Sequence, residues 1–306
     1  MDKILKPDEI LEASLVAAAD RANSGFVKLL VLAVLGGAFI AFGAEGSSFA
    51  AYGLLAEPST FGLGKALAGA IFPVGLILVV IAGAELFTGN VLIAGSVAAG
   101  RVSCGGLLRN WGIVYIGNFI GAMLIAWFIV VGGQLHSGAD LLGAVTIKIA
   151  AGKASLSFPA ALVLGILCNW LVCLAVWLAY ASSTVTGKIA AIFFPIMVFV
   201  LSGFEHSVAN MYYIPAGIFA KADPALARAA MDIGVTQQQI DGLTWASFLG
   251  KNLPPVTLGN IIGGVVFVSF AYIAAYGLKK RNSGPYVTDA KSLRDEIRKG
   301  WTDDGR

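Results

Sequence analysis

Nine runs without a single Asp, Glu, Lys or Arg dominate this chain. They cover 29–44, 66–84, 86–100, 102–108, 110–139, 154–187, 189–204, 206–220 and 252–278. A helix needs about 20 apolar residues to cross the hydrocarbon of a bilayer. The runs from 110, 154 and 252 each suffice for one span. The first suffices if it continues past Glu45 into SSFAAYGLL. Residues 66–100 form one span interrupted at Glu85, and 189–220 another interrupted at Glu205-His206. The expectation is an all-α polytopic membrane protein with six transmembrane helices and broken second and fifth spans. Composition agrees, because 13% charged residues cannot cover a water-facing surface of 306 residues, where soluble domains carry about 25%. The 38 glycines suit close helix approach in lipid. A net charge of +3 without a basic cluster leaves no nucleic-acid partner.

Lysine and arginine set the orientation. Six spans place both termini on one side. That side, with the second-to-third and fourth-to-fifth connections, holds 15 of the 21 cations and the other holds 6, so both termini are expected in the cytoplasm. The N-terminus is too charged for a cleavable signal peptide. Ile10, Leu11, Ser14, Leu15 and Ala18 recur at helical spacing against Asp8, Glu9, Glu12 and Asp20, which predicts an amphipathic helix over 7–23 on the cytoplasmic face. The division is then 1–25 as an N-terminal helix, 26–280 as the membrane domain, and 281–306 as a polar, loosely ordered cytoplasmic tail.

The membrane domain repeats itself. Phe72-Pro73, Glu85 and Asn90 recur as Phe194-Pro195, Glu205 and Asn210. Gly117-Asn118-Phe119-Ile120-Gly121 recurs as Gly259-Asn260-Ile261-Ile262-Gly263. The copies are 26–135 and 154–280. Three spans per copy force opposite orientations, the inverted repeat of many transporters, and paired broken helices point to the site.

Each break carries a group that is costly in lipid. A carboxylate at mid-span costs roughly 2.5–3.5 kcal/mol on the lenient insertion scale, and irregular backbone there must be covered by protein or line a cavity. Glu85, in AGAELFTGN, reads either as a helix kink tied to backbone amides or as a pathway group. His206, in SGFEHSVANM, is the one histidine expected inside the membrane, and its place at a repeated break favours a pathway role. Glu205 reads as a loop organiser. Lys148 reads as a solvated loop charge, whereas Lys153 at the outer mouth of span four could draw anions inward. Asn169 and Asn260 read equally as loop anchors or pore linings, since buried amides need partners.

No HExxH, GxSxG, P-loop or dinucleotide loop is present, and no Asn-Pro-Ala box follows the breaks, which argues against a water channel. Cys104, Cys168 and Cys173 have no metal or disulfide spacing, and His136 and His206 are too few for a histidine metal site. No cofactor, metal or catalytic residue is expected. An intramembrane enzyme built on Glu205 and His206 lacks a nucleophile. A scaffold or receptor would leave the duplicated breaks without purpose.

At these motifs the chain resembles the formate/nitrite transporter family, and within it the bacterial formate channels. AGAELFTGN is similar to the family's second-span loop, GFEHSVANM to its fifth-span motif, NLPPVTLGNIIGG (252–264) to the sixth span and CNWLVCLAVW (168–177) to the fourth. The likeness covers about 7–280. Pro254-Pro255 stands where those channels usually carry Ile-Pro. The resemblance implies an aquaporin-like fold, a homopentamer with one pore per protomer, and a place in the bacterial inner membrane, embedded in the lipid bilayer. It assigns Leu86, Phe87 and Thr88 to the second-span loop, with Thr88 bonded to His206. It puts Leu76, Leu86, Phe199 and His206 at the narrow points, and Lys153, Asn169, Glu205 and Asn260 in the polar shell. The implied function is a channel or proton-coupled transporter for formate. Nitrite or hydrosulfide is the alternative within the family, and acetate and lactate are further small anions.

Overall fold

A computed structural model describes residues 4–278. The expected tail at 281–306 lies outside the described residues. Twelve labelled helices, with one turn of 3-10 helix at Gln134–His136, build the described chain. They are α1 (Pro7–Ala22), α2 (Phe26–Ala56), α3 (Pro58–Gly83), α4 (Phe87–Ala98), α5 (Cys104–Val131), α6 (Leu141–Ala154), α7 (Phe158–Ala181), α8 (Val185–Leu201), α9 (Ser207–Ala220), α10 (Pro224–Asp232), α11 (Gln237–Gly242) and α12 (Ser247–Tyr276). No strand occurs among the described residues.

Five of these, α2, α3, α5, α7 and α12, are long and apolar enough to cross a membrane. The fifth expected span is not one long helix, because Gly203 and the three residues after it divide it into α8 and α9. The continuation past Glu45 is present, since α2 runs unbroken to Ala56. On its outer face α2 exposes Val27, Val31, Leu35, Phe42 and Phe49. A helix with exposed apolar residues of this size needs lipid or another chain against it.

Two pairings are the most extensive, α2 with α5 and α7 with α12. Both rest on glycine. A Cβ on Gly121 would run into the Val34 carbonyl, and one on Gly263 into the Ile166 carbonyl. Small residues here let the backbones touch, the usual means of helix association in lipid. The asparagine three residues before each of these glycines, Asn118 or Asn260, is thereby brought within reach of a broken helix.

One expectation gains its packing partners and another changes. The helix at 7–23 forms as α1, and Ile10, Leu11, Ser14, Leu15 and Ala18 are its buried face. That face packs on α4, α5, α7 and α12. Ser96 donates to the Leu15 carbonyl at 2.6 Å, and Arg101 grips Glu12 through two 2.8 Å bonds. The outer connection read as a loop with a solvated Lys148 is instead α6, packed chiefly on α9, α10 and α2. Lys148 Nζ donates to the carbonyls of Ala56 and Ile233.

Candidate functional site

The two breaks share one backbone plan. Each incoming helix gives way at a glycine of positive φ, Gly83 at 84° closing α3 and Gly203 at 73° two residues after α8. That region costs any residue with a Cβ. Three non-helical residues follow, Ala84-Glu85-Leu86 and Phe204-Glu205-His206, before α4 and α9 begin. The freed backbone groups are then satisfied pairwise, as membrane depth requires. Glu85 N donates to Leu32 O at 3.1 Å, and Glu205 N to Leu164 O at 3.2 Å. Asn118 Oδ1 accepts from Phe87 N at 2.8 Å while its amide donates to Glu85 O and Ala33 O. Asn260 Oδ1 accepts from Ser207 N at 2.9 Å while its amide donates to Glu205 O and Gly165 O.

The carboxylates are held in the same manner. Asn90 donates to Glu85 Oε2 at 2.7 Å and to Asn110 Oδ1 at 2.9 Å. Asn210 donates to Glu205 Oε2 at 2.6 Å and to Asn252 Oδ1 at 2.8 Å. Asn110 in turn donates to the Arg21 carbonyl, and Asn252 to that of Lys153. Those two residues also supply the cations. Lys153 Nζ lies 2.7 Å from Glu205 Oε1, and Arg21 Nε lies 3.9 Å from Glu85 Oε1. The correspondence between halves therefore extends outward to α1 and α6. Glu85 is bound by a side-chain amide, where a tie to backbone amides was one expectation.

His206 stands at the N-terminus of α9 and is 2% exposed. Its Nδ1 accepts from Ala209 N at 2.9 Å, so Nδ1 carries no proton. The proton of the neutral ring is then on Nε2, which faces Thr88 Oγ1 at 2.9 Å. This assignment follows from the hydrogen-bond network. Leu86 occupies the equivalent place in the first break, so the polar ring is confined to the second. Phe199 stacks on His206 at 5.9 Å between centroids, and Phe72 meets Phe199 edge-on at 5.3 Å.

His206, Phe199, Phe72, Glu205 and Lys153 line one cavity of about 310 Å³, to which Lys65, Lys148 and Tyr213 also contribute. Leu76, Leu86 and Phe87 are not among the residues that line it and are buried at 2%, 2% and 3% exposure. Thr88 is fully buried, and its carbonyl accepts from Asn169 Nδ2 and Cys173 Sγ. Asn169 and Asn260 are both fully buried and spend their amide donors on backbone carbonyls. Lys65, Phe72, Arg21, Asn110 and Asn252 were not singled out from sequence as site residues. Asn110 follows Asn90 by 20 residues, but Asn252 follows Asn210 by 42, because α10 and α11 intervene. That insertion hides the match.

Comparison with known proteins places this arrangement. Residues 8–274 match the family profile described as "Formate/nitrite transporter". An "Uncharacterized transporter YrhG" of Bacillus subtilis is 44% identical over 280 residues, covering 90% of this chain and 96% of that protein. A "Probable formate transporter" of Methanothermobacter thermautotrophicus is 42% identical over 88% of this chain and 96% of its own length. The "Formate channel FocA" of Escherichia coli K12 is 37% identical over 89% and 95%. A solved structure described as "Pentameric formate channel with formate bound" superposes with a TM-score of 0.74 at 36% identity, covering 82% of this chain and 97% of that one. The family and these relatives are channels and transporters, not enzymes. The chain is a membrane protein and belongs to the formate/nitrite transporter family.

Proposed function

We propose that this chain passes formate, as the anion or its weak acid, through a pore in each protomer of a homopentamer in the bacterial inner membrane. On this reading the chain crosses six times as an inverted 3+3 repeat, α3 with α4 and α8 with α9 each forming one broken span, and both termini are cytoplasmic. The observation that carries the function is the placement of His206. A neutral imidazole sits at a broken helix, its Nε2–H on Thr88, at the floor of a cavity with an excess of cations. The relatives named for formate support the choice of substrate.

The energetics favour neutralisation of the substrate. Moving a carboxylate into an apolar constriction faces an idealised Born cost of order 20 kcal/mol. Protonating a carboxylate of pKa about 3.9 at neutral pH costs only roughly 4 kcal/mol. Phe72 and Phe199 line the cavity, and the family resemblance puts Leu76 and Leu86 at the narrow points beside them, so the weak acid is the cheaper species there. Cations in the vestibule draw the anion in but favour its charged form. The proton must therefore come from vestibule water or from His206 as imidazolium, because a neutral ring holds its Nε2–H far more tightly than a carboxylic acid holds its own proton. Because Ala209 N–H occupies Nδ1, His206 becomes a proton donor only when that bond opens and Nδ1 takes up a proton, after which Nε2–H can leave and the ring is again neutral.

The test is formate flux in proteoliposomes across pH, with nitrite, hydrosulfide, acetate and lactate as competitors. Formate should be preferred, and His206→Asn should flatten the pH dependence. An unchanged pH profile in His206→Asn would remove the histidine from the mechanism. Preference for nitrite or hydrosulfide would reassign the substrate.

A further inference from the structure

The vestibule above His206 is lined by three ammonium groups, those of Lys65, Lys148 and Lys153, against one carboxylate, Glu205. Their surroundings differ. Lys153 is paired, its Nζ 2.7 Å from Glu205 Oε1, with the two side chains 17% and 4% exposed. A charge matched so closely presents a dipole rather than a monopole to an approaching anion. Its carbonyl meanwhile holds Asn252, which holds Asn210. Lys153 is thus built into the support of the broken helix. Lys148 is tied to the wall by two carbonyls, at 3.3 and 3.4 Å.

Lys65, on α3, makes no hydrogen bond and no ion pair within 4 Å among the described residues, although the charges of Lys153 and Glu205 lie near enough to act on it. Its ammonium nevertheless reaches the break, since a Cβ built on Gly203 would lie 3.8 Å from Lys65 Nζ. Gly203 is the residue before Phe204-Glu205-His206. A cation in a cavity of this size keeps three donors for a ligand and is screened less than one at an open surface.

We propose that Lys65 is the anion-binding group of this vestibule. It holds a small monovalent carboxylate or like anion ahead of His206, while Lys153 positions the loop through Glu205. The inference deepens the proposed transport of formate and rests on it. It moves the capture of the anion from the lysine that sequence singled out to one that it passed over.

The experiment compares wild type, Lys65→Gln, Lys65→Arg and Lys153→Gln in proteoliposomes, with initial formate uptake measured over formate and KCl concentration. Steering by a focused charge is worth on the order of 10- to 1,000-fold in encounter rate. Lys65→Gln should therefore raise KM about tenfold with the maximal rate within about twofold. It should also flatten the rise of KM with KCl, and Lys65→Arg should restore both. Lys153→Gln should instead lower the maximal rate and the melting temperature. An unchanged KM and salt slope in Lys65→Gln would overturn the assignment, as would Lys65→Arg behaving like Lys65→Gln. Wild-type vesicles that pass none of the anions would sink the transport reading alone. Binding still decides the inference in that case: formate must raise the melting temperature of wild type and not of Lys65→Gln, and equal shifts refute it.

Discussion

Replacing Thr88 by Val isolates the bond that sets the His206 ring. The side chains have nearly the same shape, and Thr88 is fully buried, so little changes but the hydroxyl. The bonds from Asn169 and Cys173 reach the Thr88 backbone carbonyl and survive. What is lost is the 2.9 Å partner of His206 Nε2. Leaving a buried donor unpaired costs about 1–3 kcal/mol, and each 1.4 kcal/mol is tenfold in an equilibrium. The set ring orientation should then fall in population by roughly 5- to 150-fold. Formate flux at pH 7 in proteoliposomes should drop by about tenfold or more in Thr88→Val. Thr88→Ser, which keeps an oxygen there, should stay near wild type. Melting temperature and oligomer size in detergent serve as controls for folding. Wild-type flux in a folded Thr88→Val protein, or equal loss in Thr88→Ser, would refute the role given to this bond.

Three further outcomes follow from the same geometry. Lys153→Met breaks a closely paired, mostly buried ion pair and should cost about 3–5 kcal/mol, whereas Arg21→Met, with a 3.9 Å contact and a 29% exposed side chain, should cost about 1 kcal/mol or less; unfolding in mixed detergent compares them. Asn260→Leu and Asn118→Leu each strand a loop amide and two carbonyls, so both should destabilise by about 3 kcal/mol or more, and a large effect in only one would contradict the equivalence of the two breaks. Gly121→Val drives a side chain into the Val34 backbone and should destabilise by about 1–3 kcal/mol or more, read as a lower melting temperature and reduced yield of folded protein.

Much of the fold was legible because lipid imposes a simple rule. A span must be long and free of charge, so gaps in the charge pattern mark α2, α5, α7 and α12 directly. Glu85 and Glu205 stand out for the same reason, and their fixed distance to Asn90 and Asn210 is a local signal of one helical turn and a loop. The apolar face of α1 was equally visible in its periodicity, although not what it packs on. Sequence missed α6 because its mixture of Lys148, Lys153 and small residues carries no clear helical stripe. It is buried by contact with α9 and α10, which lie far along the chain.

The sequence by itself determined a membrane-embedded helical protein with two polar breaks and one histidine at the second of them. The physical reason is that the bilayer penalises every charge and every unpaired backbone group locally, residue by residue. Only the tertiary structure decided which groups complete the breaks. Arg21, Asn110 and Asn252 come from elements that folding brings to Glu85 and Glu205, and an inserted pair of helices masks their spacing. It alone decided that Lys153 is spoken for by Glu205 and Lys65 is not, because charge pairing depends on distance in space. It also decided the tautomer of His206, through the Ala209 amide and the Thr88 hydroxyl on either side of the ring.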